Sequence, residues 1–295
     1  MTDPGVLQTL RDSGVTIYDN SMISLFLRCP RAFYLRHQRG LVPADKTGDS
    51  LALLMGLYVH KALEEWYTNR DDTKAIKVFS ELFGPHEGQP TISTKTGKEL
   101  SATYTVLFGC SLLSAYFEKY RDDNRKIVTL ETPLAEEISP EVYLAGRIDK
   151  IVQGPRCLVF VDYKTTKYIN DFQINPNPQF MTYKHLTQQL TGEPVSGELD
   201  LLGVSKTKTT HELLRREPFD YSEWQMENWI QSTREHINNI NRYIDRNIWP
   251  QTWKCTQYYK DCFYRPLCTL PSPDAYERLI ETKYVEDYWD PFQLD

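Results

Sequence analysis

The chain has 295 residues, with 34 Lys and Arg against 40 Asp and Glu and a formal net charge of -6. Such an acidic balance speaks against a sequence-independent coat on nucleic acid, which leaves a basic footprint. No apolar run approaches the roughly 18–20 residues of a membrane span, and the N-terminus lacks the charged-then-apolar pattern of a signal peptide, so the chain is expected to be intracellular and off the membrane. With 40% hydrophobic and 25% charged residues, it has the make-up of a globular protein. Its length suits one large α/β domain or two smaller ones. The charge is unevenly spread: Arg28, Arg31, Arg36, His37 and Arg39 cluster early, Lys206, Lys208, His211, Arg215 and Arg216 later, and acids gather at 281–295.

Residues 1–20 are polar, hold Pro4, Gly5 and Gly14, and show no sustained period, which reads as a leader. From Ser21 an apolar stripe through Ile23, Phe26, Leu27, Phe33 and Leu35 predicts helix to about 38, interrupted at Cys29-Pro30. A second helix is predicted over 50–69. In it Gly56, His60 and Glu64 recur every four residues and line one stripe. A lone helical histidine is ordinarily satisfied by a hydrogen bond, so ligand and structural readings of His60 both stand. Helices over 72–83 and 100–120 follow, and these four helices are expected to precede the first strand. Residues 126–136 read as a central strand, in which Glu131 is an awkwardly placed charge.

The stretch GRIDKIVQGPRCLVFVDYKT from Gly146 reads as two strands folded back at Gly154-Pro155. With those two as the turn, Gln153 pairs with Arg156 and Asp149 falls opposite Phe160. Alternation then puts Asp149, Phe160, Asp162 and Lys164 on one side. The two acids become diagonal neighbours with Cβ atoms roughly 7–8 Å apart, within reach of one hard divalent cation. A solvated sheet face would carry the same residues, and spacing does not separate the two. A helix over 179–190 has Gln179 and Tyr183 on one face; a strand over 195–204 then joins the hairpin in parallel through that helix. A β-ribbon or loop and a long helix over 221–246 come next.

Six cysteines occur, an even number, but disulfides need an oxidising compartment. Cys255, Cys262 and Cys268 sit close together in CTQYYKDCFYRPLC, a grouping that points to metal or redox chemistry. Their gaps are wider than the two to four residues typical of structural zinc, and an iron-sulfur cluster would need a fourth thiolate from Cys29, Cys110 or Cys157.

Taken in order, CPRAFYL, GxxxH from Gly56 to His60, the isolated Glu131, GRIDK, DYK, QxxxY from Gln179 to Tyr183 and the terminal cysteine loop resemble the RecB-like branch of the PD-(D/E)XK nucleases. The chain is most similar to those with an iron-sulfur cluster, such as AddB-type nuclease domains, CRISPR-associated exonucleases and phage-encoded relatives, over roughly 21–270. The resemblance implies an α/β fold: a restriction-endonuclease-like core whose mixed central β-sheet is flanked by helices. It further implies an N-terminal helical region and a C-terminal segment joined by an iron-sulfur cluster. The expected division is a leader at 1–20, helical region at 21–125, nuclease core at 126–250, and cysteine segment with acidic aromatic tail at 251–295, together one integrated domain.

By the same resemblance, Asp149, Asp162, His60 and the Tyr163 carbonyl are Mg²⁺ or Mn²⁺ ligands, Lys164 is the active-site lysine, and Glu131 is an accessory acid. Gln179 and Tyr183 brace the lysine and the DNA backbone. Cys29, Cys255, Cys262 and Cys268 hold a [4Fe-4S] cluster, leaving Cys110 and Cys157 structural. Arg31, Tyr34 and Arg36, with Lys206 and Lys208, are the expected DNA contacts. The implied activity is a metal-dependent DNA exonuclease on single-stranded or free-ended DNA, in recombination, repair, replication or spacer acquisition, within a bacterial, archaeal or phage-infected cell. The alternative is a non-catalytic DNA-end binding subunit of a recombination or CRISPR-adaptation complex, its aromatic tail docking a protein partner.

Overall fold

The computed structural model describes residues 10, 12–46, 50–88, 91–92, 99–100, 104–205, 208–257 and 260–290. Strand β1 (Thr16–Asp19) lies in what reads from sequence as a leader. It pairs in parallel with a strand more than a hundred residues later, from Thr16–Val142 to Asp19–Ala145. A four-residue strand that depends on so distant a partner leaves no periodic signal. Asp19 ends it and caps α1 (Asn20–Arg28), accepting from the Met22 amide at 2.7 Å. Pro30 opens α2 (Pro30–Phe33), which runs on into a π-helical turn, Tyr34–Gln38, before β2 (Leu41–Pro43).

Ser50, Asp71 and Thr105 cap the next three helices, α3 (Leu51–Asn69), α4 (Asp72–Phe83) and α5 (Val106–Lys119). The last begins later than the expected residue 100 because Glu99–Leu100 instead pairs with Thr91–Ile92. Then come β3 (Ile127–Ser139), β4 (Val142–Gln153), β5 (Leu158–Thr166), α6 (Pro178–Thr191), β6 (Val195–Gly203) and β7 (Leu214–Phe219). A capping box between Ser222 and Gln225 starts α7 (Glu223–Arg246); α8 (Pro273–Lys283) and β8 (Tyr284–Glu286) close the described chain.

The main sheet has the order β1-β4-β5-β6-β7, with β3 along the other edge of β4. It is mixed: β1 on β4 and β5 on β6 are parallel, the latter through α6 as expected, and the rest antiparallel. Glu131 thus stands on an edge strand, and of the basic stretch after β6 Arg215 and Arg216 lie in β7, with His211 in a 3-10 turn before it. Helices α3 to α5 cover one face, where Val59, Leu63, Trp66, Phe79 and Phe117 pack with Val159, Val161, Tyr163 and Leu202. Helix α6 covers the other, where Phe180, Tyr183 and Leu186 meet Ile148, Phe160 and Leu199. Each such side chain contributes roughly 1.5–3 kcal/mol of burial, so the sheet is clamped from both sides. Helix α7 packs Ile237 and Ile240 on Phe26 and Ile23 of α1. The C-terminal segment shares a separate core with the N-terminal helices, Leu267, Ile280 and Tyr284 against Ala32, Leu35 and Leu41, and β8 pairs with β2.

Candidate metal centre

Strands β4 and β5 pair only from Gln153–Leu158 to Lys150–Val161. The expected two-residue turn at Gly154-Pro155 is in fact a four-residue loop, 154–157, closed by the Gly154 amide donating to the Cys157 carbonyl at 2.9 Å. A Cβ at Gly154 would sit 2.8 Å from that carbonyl oxygen, so only glycine fits. The register is therefore two residues from expectation. An even slip keeps every side chain on its face, but it moves Asp149 from opposite Phe160 to opposite Asp162. Beyond Lys150–Val161 the strands part, and Asp149 Oδ2 accepts the Tyr163 amide at 2.7 Å in place of a ladder partner. Lys150 points to the opposite face, fully buried with Nζ 3.4 Å from the Tyr67 ring centroid; burial pushes its pKa down to about 7.

Helix α3 reaches this opening because Gly56 lets its backbone lie against β5: a Cβ there would be 2.9 Å from Thr165 Oγ1. One turn on, His60 sets Nδ1 3.4 Å from Asp149 Oδ1, with its ring edge-on to Tyr163. Glu131 arrives from β3. The pairs Leu130–Lys150 and Thr132–Ile148 bracket it opposite Asp149, and it adopts a left-handed φ of 45°, a strained choice for a non-glycine residue. Arg147 holds its carboxylate, with Nε 2.8 Å and Nη2 2.7 Å from Oε2. One ligand atom each from His60, Glu131 and Asp149 lie within 4.8 Å of one another.

Asp162 and Lys164 form an ion pair beside this trio, Nζ 2.9 Å from Oδ1 and 2.8 Å from Oδ2. The carboxylate is almost wholly buried, and the Lys164 ammonium lies against both of its oxygens. From α6, Gln179 donates to the Tyr183 hydroxyl at 2.7 Å, and the Tyr183 ring lies against Gly146.

Electrostatics follow from this packing. Burial pushes the Asp162 carboxyl up to about 6; Lys164 offsets part of the rise and Asp149 adds to it. Burial would raise Asp149 too, but His60, Lys164 and the Tyr163 amide hold it below its ordinary value. Glu131 is raised, by burial and then by Asp149. For His60 and Lys164 burial works against the charged form, and the neighbouring carboxylates outweigh it, so both are raised. Three carboxyls and a histidine lie close together here, with Arg147 balancing Glu131 and Lys164 balancing Asp162, an oxygen-rich donor set suited to a hard divalent cation.

The family model of the PD-(D/E)XK nuclease superfamily matches residues 20–269. The chain belongs to that superfamily. Its nucleases use divalent metals, consistent with the donor set at the parting of β4 and β5. No curated protein matches the sequence. Among solved structures, a protein from Eubacterium rectale named as a presumed exonuclease superposes with a TM-score of 0.53 at 13% identity, covering 92% of this chain and 96% of that one. A second, SSO0001, reaches a TM-score of only 0.32 at 13% identity, covering 73% and 83%.

Away from this candidate centre, Cys29, Cys255, Cys262 and Cys268 line one small cavity of about 30 Å³. Backbone bonds hold the cysteine loop: Cys262 donates to the Cys255 carbonyl at 2.7 Å and Cys268 to that of Tyr264 at 3.1 Å. Cys110 meets Ser80 Oγ and Cys157 meets Ser196 Oγ, both at 3.3 Å and both away from that cavity. Arg31 lies over the rings of Tyr34 and Tyr276, and Tyr34 stacks on Trp249. Arg36 is engaged by the tail, donating to the Asp287 carbonyl, with the Asp287 carboxylate at 3.7 Å. Lys208 is exposed in the loop leaving β6 at the sheet end that carries Lys164, while Lys206 lies outside the described residues.

The described part of the tail, up to residue 290, is built into this fold: Trp289 Nε1 donates to Asp19 Oδ2 at 2.7 Å, and the Asp287 amide to the Gly40 carbonyl at 2.7 Å. Among the described residues no helix is long and apolar enough to cross a membrane.

Proposed function

We propose that the chain is a metal-dependent DNA exonuclease acting on single-stranded or free-ended DNA. The observation that carries this reading is the convergence of His60, Glu131 and Asp149 within 4.8 Å, next to the buried Asp162–Lys164 pair, where β4 and β5 part. His60, Asp149 and Asp162 would hold Mg²⁺ or Mn²⁺, with Glu131 as a fourth donor and the Tyr163 carbonyl at hand. When bound, such an ion polarises a phosphoryl oxygen and lowers the pKa of a coordinated water. Lys164, its ammonium kept charged by Asp162, presents its remaining N–H donors to the phosphate and the attacking water. Gln179 and Tyr183 wall the side of the site facing α6 and support the DNA backbone. The P–O bond breaks by in-line displacement, and no protein nucleophile is needed.

We further propose that Cys29, Cys255, Cys262 and Cys268 hold a [4Fe-4S] cluster, a reading supported by all four lining one cavity. Tetrahedral zinc with Zn–S bonds near 2.3 Å holds its sulfurs about 3.8 Å apart. Among the described residues no three of these thiols come within 4.8 Å of one another, as the one such ligand group is His60, Glu131 and Asp149. Four thiols spread around one cavity suit a larger, thiolate-held centre. The centre would tie α2 to the C-terminal segment beside Arg31 and Tyr34, leaving those two at the path of the strand.

Linear and circular single-stranded DNA, compared with Mn²⁺ or Mg²⁺, test the function. The reading expects end-labelled linear DNA to be shortened from an end while circles survive. Metal-independent behaviour, or circles cut as fast as linear strands, contradicts it.

A further inference from the structure

Helix α6 has two working sides. Gln179 and Tyr183 look toward the metal centre, while Pro178, Met181 and Thr182 line a cavity of about 440 Å³ bounded also by α1 and α7. That volume falls in the range of small-ligand sites, about 300–1,000 Å³. The cavity therefore has α6 as a wall in common with the metal centre. At the near corner, Asn20 follows the Asp19–Ala145 pair, four residues along β4 from Asp149.

The lining has a definite chemistry. Two indoles, Trp224 and Trp229, stand with proline and methionine as flat apolar walls, and Asn175, Gln225 and Asn228 supply amides. Those amides are held in place: Gln225 Nε2 donates to Asn175 Oδ1 at 3.1 Å and Asn228 Nδ2 to the Trp224 carbonyl at 2.7 Å. Among the described residues none of the lining is Asp, Glu, Lys or Arg. Among the described residues His236 is the one titratable side chain of the lining, so a phosphate would meet no Lys or Arg and a basic peptide no carboxylate. A neutral, planar heterocycle with hydrogen-bonding edges matches both walls and amides. Trp224 is 71% exposed, an indole presented to solvent at the start of α7.

We infer that this cavity takes a nucleobase of the DNA strand, stacked on Trp224, while the neighbouring phosphate lies in the metal centre. The inference rests on the reading of the chain as a DNA nuclease and adds how the strand is held: by a base, through stacking, without sequence-reading charge pairs.

Binding of a fluorescently labelled deoxythymidine oligomer is measured in EDTA, alongside an abasic oligomer of equal length. Both are titrated with the full chain and with its Trp224→Ala and Trp224→Phe variants. One lost stacking contact weakens the base-bearing strand about tenfold in Trp224→Ala, leaves the abasic strand unchanged, and is restored in Trp224→Phe. Equal affinity of wild type and Trp224→Ala for the base-bearing strand overturns the inference, as it would if the cavity received a protein segment. Equal weakening on the abasic strand overturns it too. Mn²⁺-dependent hydrolysis of bis(p-nitrophenyl) phosphate, too small to span both sites, stays at the wild-type rate in Trp224→Ala. If wild type cleaves neither this diester nor DNA, the nuclease reading falls, while the difference between base-bearing and abasic strands still decides what the cavity binds.

Discussion

Replacing Lys164 by Met removes the one cation that balances Asp162, and the structure sets both the size and the pH dependence of the result. Asp162 is almost wholly buried, with its carboxylate 2.8 Å from Nζ. In the fold its carboxyl keeps a proton up to about pH 6, against roughly 4 in an unfolded chain. Between those values the folded chain binds more protons, so stability falls as pH rises through that window. Without Lys164 the folded value moves higher and the loss continues further up the scale. Breaking a buried pair costs about 3–5 kcal/mol. The lysine side chain is 26% exposed, so water screens part of the interaction and the low end, about 3 kcal/mol, applies at pH 8. That corresponds to a further rise of about two pKa units at 1.36 kcal/mol each. At pH 5 Asp162 is mostly protonated in either protein, and the cost drops below about 1 kcal/mol. Urea unfolding in EDTA at pH 5 and pH 8 measures both. Equal destabilisation at the two pH values would refute the argument, because it would mean that Asp162 is not the group Lys164 serves.

Gly56→Ala forces a Cβ to within 2.9 Å of Thr165 Oγ1, and a short β-branched side chain cannot swing clear. Helix α3 must back away and take His60 with it, so cleavage should fall at least tenfold with the fold intact; the added change Thr165→Ala should recover much of it. Glu131→Gln retains a partner for Arg147 but removes a charge from the ligand group, and Mn²⁺ binding measured by calorimetry should weaken roughly tenfold or more. An unchanged affinity would take Glu131 out of the metal site. Cys262→Ser should lose bound iron and visible absorbance after anaerobic purification, yet keep its folded circular dichroism, because Leu267, Ile280 and Tyr284 still pack on α2 and β2. Full iron retention would remove that cysteine from the ligand set.

The hairpin is legible in the sequence as two strands, while its register is not. Alternation puts Asp149, Asp162 and Lys164 on one side whatever even slip the loop imposes, so the two-residue difference in register leaves these three side chains on the same face. The loop itself was not legible: Gly154-Pro155 has the composition of a two-residue turn, and nothing in Arg156 or Cys157 announces that they belong to it. Glu131 was visible as a misplaced charge, but its left-handed backbone and its place opposite Asp149 arise from pairing with β4. Strand β1 and the tail are products of long-range contact, Thr16 with Val142 and Trp289 with Asp19. Four residues of strand and one indole carry no period to read. The cavity beside α6 escaped for a related reason: its walls come from three helices separated in sequence, and Trp224 taken alone is an ordinary surface tryptophan.

The central claim is that Asp149 and its neighbours hold a divalent ion that cleaves DNA. Its most direct test is release of nucleotides from labelled linear DNA, with Mn²⁺ and with EDTA, by wild type and by Asp149→Asn. Mn²⁺-dependent release by wild type is expected, abolished by EDTA and reduced about a hundred- to a thousandfold in the variant, in the range seen when a group acting on the reacting atoms is removed. Release that survives EDTA, or an Asp149→Asn protein as active as wild type, would contradict it.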